Sequence, residues 1–143
     1  MPDREPELCF VDTNLWLYAF IESNESTKSA RARELINDSN IAVSVQVINE
    51  VCFNLIRKAK YSNEQIEKLI ESFFSNYVVI ALDREILVTA TQLRKKYSFS
   101  FWDSMIVAAA LRANATLLYS EDMQDGLIVE KRLRIVNPLA QKE

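Results

Sequence analysis

Residues 8–21 read LCFVDTNLWLYAFI, and this stretch joins a predicted strand to a predicted helix through a single acidic residue. The apolar run from Leu8 to Val11 is typical of a short buried strand. The pattern from Thr13 to Ile21 is helical, and Asp12 stands between the two elements, where an aspartate can cap a helix. Asp12 is also the only charged residue of the stretch. The segment therefore predicts a strand that leads directly into a helix, with a lone carboxylate at the junction.

Strand and helix patterns alternate along the rest of the chain, without tight hairpin signals. This order favours an α/β fold, in which a mainly parallel sheet is covered by helices, and such sheets place ligands at the carboxyl ends of their strands. The five predicted strands are Leu8–Val11, Ile41–Val45, Tyr77–Ala81, Thr116–Tyr119 and Arg134–Val136. The predicted helices are Thr13–Ile21, Ser26–Asn37, Gln46–Lys60, Asn63–Ser75, Asp83–Tyr97 and Phe101–Ala113.

The composition fits one soluble globular domain, because 49% of the 143 residues are apolar and 26% are charged. We expect a core over residues 8–137, with short polar termini. The first apolar stretch is broken by Asp12 and Asn14, so it predicts neither a signal peptide nor a membrane span. We therefore expect a cytoplasmic protein without a membrane partner. Cys9 and Cys52 lie in apolar runs and are expected to be buried, reduced thiols.

The chain has no histidine and a single glycine, Gly126, and both facts exclude classes of enzyme. Without histidine, it cannot form a Ser-His-Asp triad, a Cys-His pair or a His-based zinc site. Without glycine-rich loops, it lacks the P-loop and the dinucleotide fingerprint. Ser-Lys chemistry ranks low, because no Ser-x-x-Lys spacing stands at a convincing strand-to-helix turn. Carboxylates that work with a metal remain the main option.

Three acidic residues are isolated in apolar surroundings, whereas most others lie on mixed polar faces that solvation explains. Besides Asp12, they are Glu50 in IAVSVQVINEVCFNLI and Asp103 in FSFWDSMIVAAAL. A buried carboxylate needs a cation, a metal or dedicated hydrogen bonds, or else its pKa rises. Asp122 follows a predicted strand in TLLYSED, in a polar turn where acids are common. Jointly, these acids favour a shared site at the ends of the strands.

Each acid also has a purely structural interpretation. Asp12 and Asp103 open predicted helices, where a carboxylate stabilises unpaired backbone amides. Glu50 lies one turn into a predicted helix, and exposure of that one face would account for it. If all the acids are caps and solvated charges, the chain is a non-catalytic domain that binds protein or RNA. Convergence of the four carboxylates within a metal's reach distinguishes the two interpretations, since dispersed carboxylates would favour the binding domain.

The acids and their flanks resemble the PIN domain, and within it the VapC-like ribonuclease toxins of type II toxin-antitoxin systems. The segments that carry the resemblance are Phe10–Asn14, Ser44–Glu50, Phe101–Ala110 and Leu118–Gln124, in the family's order. The resemblance covers nearly the whole chain and implies a three-layer fold with a central parallel sheet. It also implies metal-dependent cleavage of RNA phosphodiester bonds and sequestration by a cognate antitoxin protein.

Roles follow from the resemblance residue by residue. The matching catalytic and metal-binding acids are Asp12, Glu50, Asp103 and Asp122. The matching supporting polar residues are Thr13, Asn14 and Ser120. The implied cofactor is Mg2+ or Mn2+, since these hard cations prefer oxygen ligands. Asp125 is an additional acid that we expect to face solvent.

The net charge of -3 does not favour a polyanion, so RNA binding must depend on local basic groups and on the metal. The candidate basic runs are Arg57-Lys58-Lys60, Arg94-Lys95-Lys96 and Lys131-Arg132-Arg134. Each run is more often an ordinary helix end or solvated face. The resemblance favours structured or single-stranded RNA, and a nuclease that acts on DNA or small phosphate esters is the alternative.

The large aromatic residues are expected to lie mostly in the core. They are Trp16, Tyr18, Phe20, Phe53, Phe73, Phe74 and Trp102. By resemblance, the helices that begin at Ser26 and Asn63 would expose an apolar groove. Such a groove would receive an antitoxin helix or a second copy of the chain, and the latter would make a homodimer.

Overall fold

The computed structural model describes residues 7–21 and 26–140, and it confirms the α/β class. The strands are β1 (Leu8–Val11), β2 (Asn40–Ser44), β3 (Val78–Ile80), β4 (Leu117–Tyr119), β5 (Ile128–Val129) and β6 (Leu133–Val136). The helices are α1 (Thr13–Phe20), α2 (Ser26–Asp38), α3 (Val45–Ala59), α4 (Asn63–Asn76), α5 (Arg84–Lys96) and α6 (Phe101–Arg112). In the described residues, none of these helices combines the length and the apolar character that crossing a membrane requires.

The described strands form one sheet in the order β3-β2-β1-β4-β6-β5, with β1 near its centre. β1 pairs in parallel with β2 and β4. Phe10 and Val11 are fully buried, as expected for a parallel strand that is covered on both faces. The register sets Val11 beside Tyr119. The residues that follow these two strands therefore leave the sheet next to each other.

The sheet has six strands, whereas the sequence predicted five. The additional strand, β5, pairs antiparallel with β6 in a hairpin. Glu130 and Lys131 have φ values of 51° and 61° at its turn, and the N–H of Arg132 donates to the carbonyl of Val129 at 3.1 Å. The prediction missed this hairpin because Asn and Gly usually supply the positive φ of such turns.

Some element boundaries also differ from the prediction, since capping residues decide them. Val45 begins α3 instead of ending β2, because the hydroxyl of Ser44 accepts a hydrogen bond from the N–H of Val47 at 3.2 Å and caps the helix. Tyr77 follows the last residue of α4 instead of beginning β3. Both shifts leave the order of the elements unchanged.

The core prediction is correct for part of the aromatic set. Trp16 and Phe73 are each only 1% exposed, and their ring centroids lie 5.0 Å apart. The prediction is wrong for Phe53, Phe74 and Trp102, which are 57%, 57% and 62% exposed. Hydrophobicity alone does not show which face of a helix lies against the sheet. The cysteines are buried and free, as predicted.

Candidate active site

The acids that the sequence singled out line one cleft of about 230 Å³ at the carboxyl end of the sheet. Asp12 follows β1, Asp122 lies shortly after β4, and α3 and α6 carry Glu50 and Asp103. The other residues that line the cleft are Thr13, Asn14, Asn54, Trp102 and Ile106. The four acids therefore border one cleft, although sharing a cleft does not by itself bring them within reach of one metal ion.

Asp12 is buried, with 8% of its surface exposed, and both of its carboxylate oxygens accept hydrogen bonds. Oδ1 accepts from the N–H of Thr13 at 2.7 Å, which makes Asp12 the N-cap of α1. Oδ2 accepts from the hydroxyl of Ser120 at 2.9 Å. Asp12 therefore does both things that the sequence suggested: it caps a helix, and it lines the shared cleft.

Burial raises the pKa of Asp12 to about 6. The hydrogen bonds from Thr13 and Ser120 oppose this rise, and the nearby charges of Asp103 and Glu50 add to it. In the described residues, no lysine or arginine forms an ion pair with the acids of the cleft. The ionised carboxylates therefore repel one another without a protein cation to offset the repulsion.

Glu50 lies in the second turn of α3, a helix that is buried through Ile48, Cys52 and Leu55 among others. The hydroxyl of Thr13 donates to Oε2 of Glu50, and the amide of Gln46 donates to Oε1 at 3.3 Å. The glutamate is thereby held from two sides.

Two supporting amides on α3 were missed by the sequence analysis. Gln46 and Asn54 stand one turn before and one turn after Glu50, and the side chain of Asn54 donates to the carbonyl of Glu50 at 2.8 Å. Their i±4 spacing from Glu50 was the available signal, since residues at that spacing share a helix face.

Asp103 lies in the first turn of α6, where its N–H donates to the hydroxyl of Ser100 at 3.1 Å. Burial raises the pKa of Asp103, a hydrogen bond between its carboxylate and the Ser100 side chain opposes this, and the charges of Asp122 and Glu50 raise it further. Asp122 itself is exposed and accepts a hydrogen bond of 2.6 Å from the amide of Asn14. Asn14 therefore holds an acid that is open to solvent at the edge of the cleft.

Asp125 and the basic runs lie outside the cleft lining. Asp125 is exposed and accepts from the N–H of Asn137 at 2.9 Å, in agreement with its predicted solvent position. Among the basic residues, Arg94 donates to the hydroxyl of Ser104 at 2.7 Å, and Lys96 pairs with Glu130 at 3.1 Å. These cations have structural partners of their own.

The cleft offers only oxygen ligands and an excess of negative charge, a combination that suits hard divalent cations. Over residues 7–21 and 26–140, however, no three acidic side chains stand close enough together to hold a metal ion. Glu50 accepts from the hydroxyl of Thr13 and Asp122 from the amide of Asn14, so each carboxylate is held by its own residue of α1. The acids surround a common space without forming a closed ligand set.

Several solved structures share this fold at low sequence identity. A chain of a toxin-antitoxin complex from Klebsiella pneumoniae is 18% identical, with a TM-score of 0.68 over 91% of this chain and 97% of that one. VapC20 from Mycobacterium tuberculosis, a Sarcin-Ricin loop cleaving toxin, is 17% identical, with a TM-score of 0.65 over 80% and 89%. DNA-bound VapBC from Salmonella typhimurium contains a chain that is 17% identical, with a TM-score of 0.64 over 90% and 96%.

Comparison with curated protein sequences gave no match. Residues 9–125 match the PIN domain family. This range includes most of β1, the helices that carry Glu50 and Asp103, and the turn that holds Asp122. The chain therefore belongs to the PIN domain family.

Proposed function

We propose that the protein is a metal-dependent endoribonuclease that hydrolyses RNA phosphodiester bonds. The observation that carries this proposal is the shared cleft lined by Asp12, Glu50, Asp103 and Asp122. Burial and mutual repulsion raise the pKa values of Asp12 and Asp103, so the protein groups of the cleft by themselves disfavour the ionised carboxylates. A bound divalent cation would reverse this effect.

We assign Mg2+ or Mn2+ to these four carboxylates as the resident cofactor. When bound, the cation would neutralise charge on the phosphate and lower the pKa of a nearby water, which is the chemistry that diester hydrolysis needs. Because the acids do not yet form a closed ligand set, binding requires small side-chain movements. The exposed Asp122, hydrogen-bonded only through Asn14 among the described residues, is the acid with the most freedom to move.

The polar neighbours of the acids would orient and tune them. Ser120 and the N–H of Thr13 stabilise the ionised form of Asp12, because both donate to its carboxylate. The Thr13 hydroxyl orients Glu50, and the amide of Asn14 orients Asp122. Supporting hydrogen bonds of this kind commonly set the affinity of a metal site.

We further propose that the protein is the toxin of a toxin-antitoxin pair and acts in the cytoplasm. The similar structures include toxin-antitoxin complexes. A groove of about 220 Å³, partly lined by Phe20, Ile36 and Tyr77, would receive an apolar antitoxin helix. Residues of α1 and α2 line this groove. The sequence predicted a groove formed by α2 and α4, but α4 does not line this one.

A homodimer is also part of this proposal. Exposed apolar side chains on α3 and α5 would supply an interface, because apolar surface that is contiguous often marks a contact between proteins. They are Phe53, Ile56, Leu87 and Val88. Sedimentation of the purified chain distinguishes a dimer from a monomer.

The decisive experiment compares wild type with Asp103→Asn for manganese-dependent cleavage of RNA. We expect the variant to lose at least about 100-fold in rate, the range seen when an important electrostatic group is removed from an active site. Asp125→Asn is the matched control, because it makes the same chemical change outside the cleft. Equal activity of wild type and Asp103→Asn would remove Asp103 from the mechanism. Parallel assays with single-stranded DNA and a simple diester test the alternative substrates.

A further inference from the structure

A second hollow, of about 420 Å³, adjoins the carboxylate cleft. Glu50 and Trp102 line both spaces, so the two lie side by side. The wall of the second hollow is largely apolar and includes Val45, Leu82 and Met105. A mostly apolar space with a few polar groups is typical of a site for a small organic ligand.

Trp102 forms the border between the cleft and the hollow, and it is exposed and yet held in position. The Trp102 side chain is 62% exposed. Its ring packs edge-on against Phe101, with centroids 5.1 Å apart, and the guanidinium of Arg94 lies 4.7 Å from the centroid of Phe101. The carbonyl of Trp102 accepts a hydrogen bond of 3.4 Å from the amide of Gln46. An aromatic ring that is fixed and open to solvent provides a stacking surface for a flat ligand.

We infer that this hollow binds one unpaired nucleobase of the RNA, stacked on Trp102, beside the phosphate that occupies the carboxylate cleft. The inference rests on the proposed function and names its substrate class as single-stranded RNA. A base is separated from its phosphate by one sugar, so a phosphate bound near Glu50 brings a base to the adjoining hollow. A base paired within a duplex is stacked on its neighbours and cannot enter.

Two amides in the hollow fit the edge of a base. Gln46 and Asn49 both line it, on consecutive turns at the start of α3. The Asn49 amide makes no hydrogen bond within the described part of the chain, so it offers both a donor and an acceptor to an unpaired base. The Gln46 nitrogen already donates to Glu50 and to the Trp102 carbonyl, and its oxygen remains as an acceptor. An apolar protein segment would not use these groups, and this observation favours a nucleobase.

The test uses a series of RNA oligonucleotides that the enzyme cleaves, each with one abasic nucleotide at a different position. The value of kcat/KM is measured on each for wild type and for Trp102→Leu. An abasic nucleotide keeps its phosphate and loses its base. For wild type, we expect one position near the cleaved bond to cost on the order of 10-fold, the range for one stacked base. For Trp102→Leu, kcat/KM on intact RNA should fall by a similar factor. The abasic nucleotide at that position should then lower kcat/KM no further, since both changes remove the same stacking contact. Phe74→Leu is the matched control, because Phe74 is equally exposed and lines neither space.

A binding measurement separates this inference from the proposed function. Affinities for intact and abasic RNA are compared in Mn2+ with Asp103→Asn, because we expect this variant to cleave slowly and RNA binding to depend on the metal. Cleavage by wild type that is insensitive to every abasic position and to Trp102→Leu would overturn the inference and leave the nuclease intact. Absence of both cleavage and RNA binding would reject the proposed function, and the inference with it. If Trp102→Leu changes only self-association or binding to a protein, the hollow is a protein interface and the inference fails.

Discussion

The hydroxyl of Ser120 donates a hydrogen bond of 2.9 Å to Oδ2 of Asp12, across 108 positions of sequence. The parallel pairing of β1 with β4 makes this contact possible, because each residue directly follows its strand. Ser120 is fully buried, and its oxygen also accepts from the N–H of Met123 at 3.3 Å. One hydroxyl therefore connects the first acid of the cleft with the turn that carries Asp122.

Replacing this hydroxyl should destabilise the fold. In Ser120→Ala, Oδ2 of Asp12 and the N–H of Met123 both lose a buried partner, and we expect a cost of about 1 to 3 kcal/mol. The measurement is the urea unfolding midpoint at neutral pH in chelator. Ser98→Ala, at an exposed position, is the control and should stay within about 0.5 kcal/mol of wild type. Identical midpoints for wild type and Ser120→Ala would show that the bond contributes nothing to stability.

The stability of the metal-free protein should depend on the protonation of Asp12. Because the pKa of this carboxyl is raised from 3.8 to about 6, the folded state holds the proton more tightly than the unfolded state does. The contribution of Asp12 to stability is thus fully present below about pH 4 and is lost as the pH rises through 6. This change amounts to at most about 3 kcal/mol.

Asp12→Asn isolates that contribution, since asparagine has nearly the shape of aspartate but no carboxyl group that titrates. The free energy of unfolding of wild type minus that of the variant should fall between pH 4 and pH 7 in chelator. Other groups, such as Asp83 with its lowered pKa, titrate in both proteins and cancel in the difference. A difference that is constant over this range would contradict the raised pKa of Asp12.

Divalent metal should raise the thermal stability of the protein at neutral pH. The cation offsets the repulsion among the cleft carboxylates, and a ligand that binds only the folded state increases Tm with its concentration. We expect melting curves in Mg2+ or Mn2+ to shift upward relative to chelator, and the shift to shrink near pH 5, where Asp12 is largely protonated. Asp103→Asn should reduce the shift, whereas Asp125→Asn should retain it. Equal Tm values in metal and chelator would count against a metal site.

Much of the fold could be predicted because local patterns and global topology agree. The apolar run before Asp12 and the helical pattern after it are sufficient to place β1 and α1. The hairpin of β5 and β6 could not be predicted, since Glu130 and Lys131 adopt a backbone conformation that their side chains do not favour. The exposure of Trp102 also depends on tertiary packing, and an apolar residue in an apolar helix carries no local sign of it.

In the cleft, Asp12, Glu50 and Asp103 could be identified from the sequence because each is the only charge in an apolar stretch. A charge in such surroundings requires a partner. Asp122 followed from family resemblance, since a turn aspartate is common. The hydrogen bond between Thr13 and Glu50 could not be foreseen, because it depends on how α1 packs against α3. Pairwise contacts of this kind are set by the fold and not by the neighbours in sequence.

Asn14 should control metal affinity more than stability. Its amide donates to Oδ2 of Asp122 at an exposed position, so the loss of this bond in Asn14→Ala should cost little folding free energy. Without it, Asp122 is no longer oriented towards the cleft, and we expect the Mn2+ concentration for half-maximal binding to rise about 10-fold or more. Calorimetric titration with Mn2+ measures this directly. Asn76→Ala is the matched control, because its amide makes a similar exposed bond to Ser72 at a distance from the site. If Asn14→Ala binds Mn2+ as tightly as the control does, Asp122 needs no orientation by Asn14, and its role in holding the metal comes into question.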